Sequence, residues 1–188
     1  MNKRKHIPYL ERMANPMRNT SRRISYLLRH NPEDLKMDKH GWVFIADLLK
    51  KVGITKAELD DIVETNNKKR FGYNEDGDKI RAHQGHSASL GVVIDYKEVQ
   101  FPGTYYHGTA KANVSSILKN GLNSKTRAYV HLSKDVETAR QVGLRHSKDI
   151  VILQIDGNSM KRDGLKIFES ENGVILAEWV PRKYITVK

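Results

Sequence analysis

The sequence predicts an α+β protein in two lobes, helices first and strands second. Three observations carry that reading. Apolar residues recur at helical spacing through Ile24, Leu27 and Leu28, and again through Leu59, Ile62 and Val63. An Asp-Gly turn at Asp76-Gly77 sits between two short runs, Arg70–Tyr73 and Lys79–Ala82, which is a hairpin signal. Beyond Gly91 β-branched and aromatic runs dominate, with few helical stretches between them.

Taken in order, residues 1–18 have weak periodicity and two prolines, Pro8 and Pro16, and are expected to form a basic arm. The first lobe is expected over 19–88. Asn19-Thr20-Ser21 supplies capping residues ahead of the Ile24–Leu28 stripe, and Pro32 ends that helix. Trp42–Ile45 reads as a short strand and Ala46–Val52 as a second helix closed by Gly53. Thr55 caps a third helix over 56–67, and the hairpin follows. Three helices followed by a hairpin form the pattern of a winged helix, a nucleic-acid-binding architecture. The second lobe, 89–188, contains β-rich runs at Val92–Ile94, Thr104–His107, Val130–Leu132, Ile150–Ile155, Val174–Ala177 and Tyr184–Val187. Helices are expected at Asn113–Lys119 and Val136–Leu144, so the sheet should be largely antiparallel. The boundary falls near Gly85–Gly91.

Charge narrows the partners. The 188 residues hold 33 Lys+Arg against 22 Asp+Glu, a formal net charge of +11, which favours polyanions. Residues 1–31 concentrate it, with six arginines and two lysines against Glu11 alone. Guanidinium forks match phosphate oxygens in pairs, so this end is expected to meet phosphate. There is no cysteine, which excludes disulfides, thiol nucleophiles and thiolate metal sites and is compatible with a reducing cytoplasm. No apolar run is long enough to span a membrane, and the basic N-terminus lacks the apolar core of a secretory signal. Neither GxGxxG after a strand nor GxxxxGK[ST] occurs, so the common dinucleotide and P-loop sites are unsupported. His83 and His86 have i, i+3 spacing but no HExxH or carboxylate cluster, and no metal site is expected.

Several residues suggest chemistry, and each also has an ordinary structural explanation. Arg29-His30 joins a permanent cation to a side chain that titrates near neutrality, or is simply a helix-terminal charge pair. Arg81 alternates with Ile80 on the return strand of the hairpin, as an exposed strand arginine also would. Arg145 follows a helix, where helix carbonyls alone would favour a cation. In Tyr106-His107-Gly108-Thr109 the glycine would let backbone approach a ligand. His131 and Ser133 share one strand face, and His107 and His131 either line a ligand or are a pair of buried, hydrogen-bonded histidines.

Together these segments resemble the NAD-dependent RNA 2′-phosphotransferases. The matching stretches are Ser25–Pro32 (SYLLRHNP), Gly41-Trp42-Val43, Ile80–Ser87 (IRAHQGHS), Tyr106–Thr109 (YHGT), Val130–Ser133 (VHLS), Val142–His146 (VGLRH), Glu171-Asn172-Gly173-Val174 and Val180-Pro181. They run in the family's order from about residue 20 to the C-terminus. Ser147 departs from an expected glycine, and Ile175-Leu176-Ala177 replaces a Trp-containing run.

The resemblance implies a winged-helix-like lobe that grips RNA and an ADP-ribosyltransferase-like lobe that grips NAD⁺, with the reaction in the cleft between them. It implies removal of an internal RNA 2′-phosphate in two steps, with an ADP-ribosylated RNA phosphate between them and nicotinamide and ADP-ribose 1″,2″-cyclic phosphate as products. Arg29, His30, Arg81 and Arg145 match the family's catalytic residues. His107, Gly108, Thr109, His131 and Ser133 would line the NAD⁺ pocket, with no metal. A cytoplasmic monomer is expected. Two other readings fit the same residues: an ADP-ribosyltransferase that stops after the first transfer, and a winged-helix RNA binder without catalysis.

Overall fold

The computed structural model describes residues 16–66 and 68–188. Most of the expected basic arm, residues 1–15, lies outside the described residues. The chain divides into two compact units, the first ending at Ala82 and the second running His83–Lys188.

The first unit opens with helix α1 (Pro16–Arg29). Capping chemistry at Asn19–Ser21 predicts a later start, but those residues lie inside the helix. Proline suits a first helical position because the N–H it lacks has no intrahelical partner there. Ile24, Leu27 and Leu28 are fully buried along one stripe. After α1 come β1 (Val43–Phe44), α2 (Ile45–Val52) and α3 (Lys56–Glu64). Gly53 closes α2 at φ 75°, a left-handed conformation that favours glycine. Thr55 and Glu58 form a reciprocal capping box at the start of α3. That helix stops at Glu64, short of the expected residue 67; Asn67 lies outside the described residues.

Strands β2 (Phe71–Tyr73) and β3 (Lys79–Ala82) form the expected hairpin, pairing Gly72 with Arg81 and Tyr73 with Ile80. Strand β1 joins the other edge of β3, giving the antiparallel order β1-β3-β2. Helix α1 packs on α2 and β3, and their apolar faces make one core around Leu48, Leu59, Phe71 and Ile80.

The second unit is mainly antiparallel sheet, as expected. Its strands are β4 (Lys97–Glu98), β5 (Thr104–Ala110), β6 (Leu122–Asn123), β7 (Val130–Leu132) and β8 (Ile150–Asp156), then β9 (Phe168–Glu169), β10 (Ile175–Ala177), β11 (Trp179–Val180) and β12 (Ile185–Val187). Helices α4 (Val114–Asn120), α5 (Val136–Gly143) and α6 (Gly157–Arg162) lie between them. Two principal sheets have the orders β4-β9-β10-β7 and β12-β8-β5, and β11 pairs with β6. The expected strand Val92–Ile94 does not form. Only Ile94 of the three is buried there, and it anchors an irregular segment. Leu153, Ile155, Met160, Ile167 and Ile175 form the centre of this unit's core.

Tyr106 and Ser133 exchange backbone hydrogen bonds of 2.9 and 2.8 Å, an isolated antiparallel bridge that links β5 to the residue after β7. The two principal sheets therefore meet at this pair. Helix α5 lies on β5 and β8, and Gly108 lets it approach. A Cβ on Gly108 would fall 2.0 Å from the Ala139 carbonyl oxygen. The sequence suggests ligand approach as the reason for this glycine, but in the structure the backbone of α5 takes that space.

Candidate functional site

In the first unit the candidate cations sit on two adjoining elements. Arg29 is the last residue of α1, where its charge complements the helix carbonyls, and its Nε and Nη2 atoms are buried. His30 follows in the turn, its N–H donating to the Tyr26 carbonyl at 2.9 Å. Its ring is exposed and lies 6.0 Å from that of Tyr26.

Arg81 is held by a short chain of contacts. Asp38 Oδ1 accepts from the backbone N–H groups of His40 and Trp42 at 2.8 and 3.0 Å, and the Asp38 N–H donates to the Trp42 carbonyl at 3.0 Å. This knot, with Gly41 at φ 80°, presents the Trp42 ring. The Arg81 guanidinium stacks over that ring, 4.3 Å from its centroid. On the same strand Ile80 is fully buried, so the alternation expected from sequence is present.

In the second unit the junction of the two sheets collects the candidate histidines. His107 Nδ1 lies 3.0 Å from the His131 carbonyl oxygen. A carbonyl only accepts, so Nδ1 carries the proton. Burial pushes the His107 pKa below its ordinary value, assisted by the charges of His146 and Lys125 and opposed by that hydrogen bond. Neutral His107 therefore keeps a lone pair on Nε2, an acceptor for a hydroxyl.

The two ring nitrogens of His131 have separate partners. Arg127 Nη1 lies 3.4 Å from Nδ1, and Gln84 Oε1 lies 2.8 Å from Nε2. A guanidinium only donates, so Nδ1 accepts and Nε2–H donates to Gln84. Thr109 is buried, and its Oγ1 accepts from Asn113 Nδ2 at 3.3 Å. Alternation from Gly108, which faces α5, places His107 and Thr109 on the opposite face of β5.

Arg145 stands just past α5, where its N–H donates to the Val142 carbonyl at 3.2 Å. Its side chain is exposed. Arg127 is its electrostatic neighbour: desolvation, and then the charge of Arg145, press the Arg127 pKa down. Among the described residues, neither arginine has a carboxylate within ion-pairing distance. Guanidiniums without an acidic partner favour anionic ligands.

The structure thus brings together His107, His131 and Ser133 at the sheet junction, and Arg81 with Trp42 in the first unit. It adds Gln84 and Arg127, which sequence reasoning did not assign. Gln84 sits inside the quoted IRAHQGHS stretch, whereas Arg127 carries no local signal at all. His83, buried, contacts Glu171 at 2.9 Å through Nδ1. The described residues contain no group of three or more His, Cys, Asp or Glu placed to hold a metal. A cleft of about 430 Å³ has Asp95, Lys97, Glu169 and Glu171 in its lining. A smaller hollow borders His131, His86 and the edge-to-face ring pair Tyr96–Tyr129. No described helix is long and apolar enough to cross a membrane.

These features define a class: a basic α+β protein whose polar clusters are built on arginine and neutral histidine, suited to anionic ligands. Comparison with known proteins narrows it. A family model described as RNA 2′-phosphotransferase, Tpt1 / KptA family, matches residues 15–179. A probable RNA 2′-phosphotransferase of Fusobacterium nucleatum is 46% identical over 169 residues, covering 86% of this chain and 93% of the relative. One of Flavobacterium johnsoniae is 45% identical over 181 residues, covering 93% and 98%. One of Escherichia coli is 43% identical over 173 residues, covering 88% and 93%. The chain belongs to the RNA 2′-phosphotransferase family.

Proposed function

We propose that this protein removes an internal 2′-phosphate from RNA by transferring it to NAD⁺. The observation that carries the reading is that one family model spans both units, from before Arg29 to beyond Arg145. In this reading the first unit is a winged-helix-like RNA lobe and the second an ADP-ribosyltransferase-like NAD⁺ lobe. The protein works as a cytoplasmic monomer without metal.

The first step needs placement more than a base, because the nucleophile is already ionised at neutral pH. An oxygen of the RNA 2′-phosphate attacks C1″ of the nicotinamide riboside. The glycosidic C–N bond breaks and nicotinamide leaves, giving an ADP-ribosylated RNA phosphate. In the second step the ribose 2″-hydroxyl attacks phosphorus and loses its proton. The bond from phosphorus to the RNA 2′-oxygen breaks, and that oxygen leaves as a hydroxyl. ADP-ribose 1″,2″-cyclic phosphate is released.

Arg29 and Arg81 hold and neutralise the transferred phosphate, and His30 moves or orients the 2″-hydroxyl proton in the second step. Arg145 and Arg127 meet the charge of NAD⁺ and of the reacting phosphate. His107 Nε2 accepts from a ribose hydroxyl, and Thr109, His131 and Ser133 complete the cofactor surface, with Gly108 admitting α5 behind it. The chemistry asks for fixed cations on two anionic substrates, and guanidinium supplies them.

Incubation with a 2′-phosphorylated oligoribonucleotide, with and without NAD⁺ and with a chelator present, tests the reading. The expected products are 2′-OH RNA and ADP-ribose 1″,2″-cyclic phosphate, formed only with NAD⁺. ADP-ribosylated RNA without cyclic phosphate would identify an ADP-ribosyltransferase that stops early. Binding that is indifferent to NAD⁺, with no product, would identify an RNA binder.

A further inference from the structure

Helix α1 carries a second set of groups beside Arg29 and His30. Arg18, Arg22 and Tyr26 follow at intervals of four residues, so they form one ridge along the helix, successive members about 6 Å apart, and His30 continues that spacing in the turn beyond it. All four are exposed, with Tyr26 51% accessible, while Ile24, Leu27 and Leu28 are fully buried on the opposite side. The helix, Pro16-Met-Arg-Asn-Thr-Ser-Arg-Arg-Ile-Ser-Tyr-Leu-Leu-Arg29, contains no acidic residue. Among the described residues, neither Arg22 nor Arg23 has a carboxylate within ion-pairing distance.

Folding alone explains neither the exposed tyrosine nor the run of cations. A large ring half in water contributes little to the core, and like charges one turn apart repel. An aromatic platform set in a row of cations is the arrangement that binds single-stranded nucleic acid: bases stack on the ring while guanidiniums take the backbone. The ridge also leads directly to Arg29 and His30, the groups that handle the 2′-phosphate in the reading above.

We propose that this ridge is the docking track for the single-stranded RNA flanking the 2′-phosphate. A base adjoining the modified nucleotide stacks on Tyr26, and Arg22 and then Arg18 contact successive backbone phosphates. The inference rests on the proposed RNA substrate but does not require turnover, so it is read by binding. It assigns RNA recognition to residues outside the phosphoryl chemistry. The ridge contacts sugar-phosphate and a ring face rather than base edges, so recognition is tolerant of sequence.

The test measures fluorescence anisotropy of a single-stranded 2′-phosphorylated oligoribonucleotide with the full chain, in the absence of NAD⁺. Tyr26→Ala should weaken binding about tenfold, the lower part of the range for loss of base stacking. Tyr26→Phe should stay within about twofold of wild type, because the ring is kept. The Tyr26→Ala penalty should vanish on an oligonucleotide whose flanking nucleotides are abasic. Arg18→Gln and Arg22→Gln should each make the slope of log affinity against log salt shallower by about 0.7. Unchanged circular dichroism and thermal midpoint would show that each variant is folded. Equal affinity of folded Tyr26→Ala and wild type overturns the proposal, as does a penalty that persists on the abasic oligonucleotide. Wild type that binds with the expected Tyr26 dependence yet yields no product under NAD⁺ would instead overturn the proposed reaction and leave the docking track standing.

Discussion

The two units hold their polar clusters in different ways. In the first, Arg29 and His30 are placed by the end of α1, Trp42 by an Asp38 knot four residues upstream, and Arg81 by the hairpin that carries it. Arg81 then lies over the Trp42 ring, which β1 brings beside the hairpin. In the second, placement is long-range: His107 leans on the carbonyl of His131, 24 residues away, and His131 on Gln84, 47 residues away. A cluster positioned locally can lose a side chain and keep its fold. A cluster positioned through the meeting of two sheets couples function to stability.

The largest effect is expected at Arg145. Arg145→Ala should lower turnover by about 10²–10³, the loss typical of one charge-stabilising donor, with little change in stability because the side chain is exposed. Near-normal turnover would remove Arg145 from the chemistry. Arg81→Ala, in the locally built cluster, should also leave the fold intact. It should slow the second step preferentially, so that rapid-quench assays see ADP-ribosylated RNA accumulate.

Gly108→Ala should behave oppositely. Its Cβ would strike the Ala139 carbonyl, so either β5 or α5 must shift. A destabilisation of about 3 kcal/mol in denaturant unfolding is expected. An unchanged midpoint would show that the two elements slide apart freely and that the contrast between the units is overdrawn.

Gln84→Ala tests the long-range contact more gently. Removing the Nε2–H acceptor of His131 should cost about 1 kcal/mol of stability and raise the KM for NAD⁺ several-fold. Gln84→Glu, which retains an acceptor, should recover the KM. If both variants raise KM equally, the hydrogen bond is not what orients His131.

The smallest effect concerns pH. Folded His107 binds its proton less readily than the unfolded chain does, because its pKa lies below the ordinary 6.5. Between those two values the unfolded chain holds more protons, so stability rises with pH and falls on acidification. His107→Asn should therefore flatten the stability profile below about pH 6.5 relative to wild type. Parallel profiles would show that His107 titrates alike in both states.

Much of this was legible in the sequence because it is local. The stripe Ile24, Leu27, Leu28 places Arg22 on the outer side of α1, whereas Arg29 has its Nε and Nη2 atoms buried. Thr55 with Glu58 marks the start of α3, and Asp76-Gly77 marks the hairpin that carries Arg81. Helical periodicity, capping and turn chemistry act over a few residues, so the order of residues suffices. Even there α1 starts at Pro16, ahead of the capping residues, because proline fits a first helical position.

Tertiary structure alone decided the rest. Val92–Ile94 has the composition of a strand but no partner strand, and sheet formation requires one. Gly108 serves α5 because the helix that crosses it lies some thirty residues later in the chain. Gln84 meets His131 across 47 residues, and the charge of Arg145 reaches Arg127, only in the folded second unit. Strand partners and crossing points are chosen by the whole core at once, and no short window of sequence contains that choice.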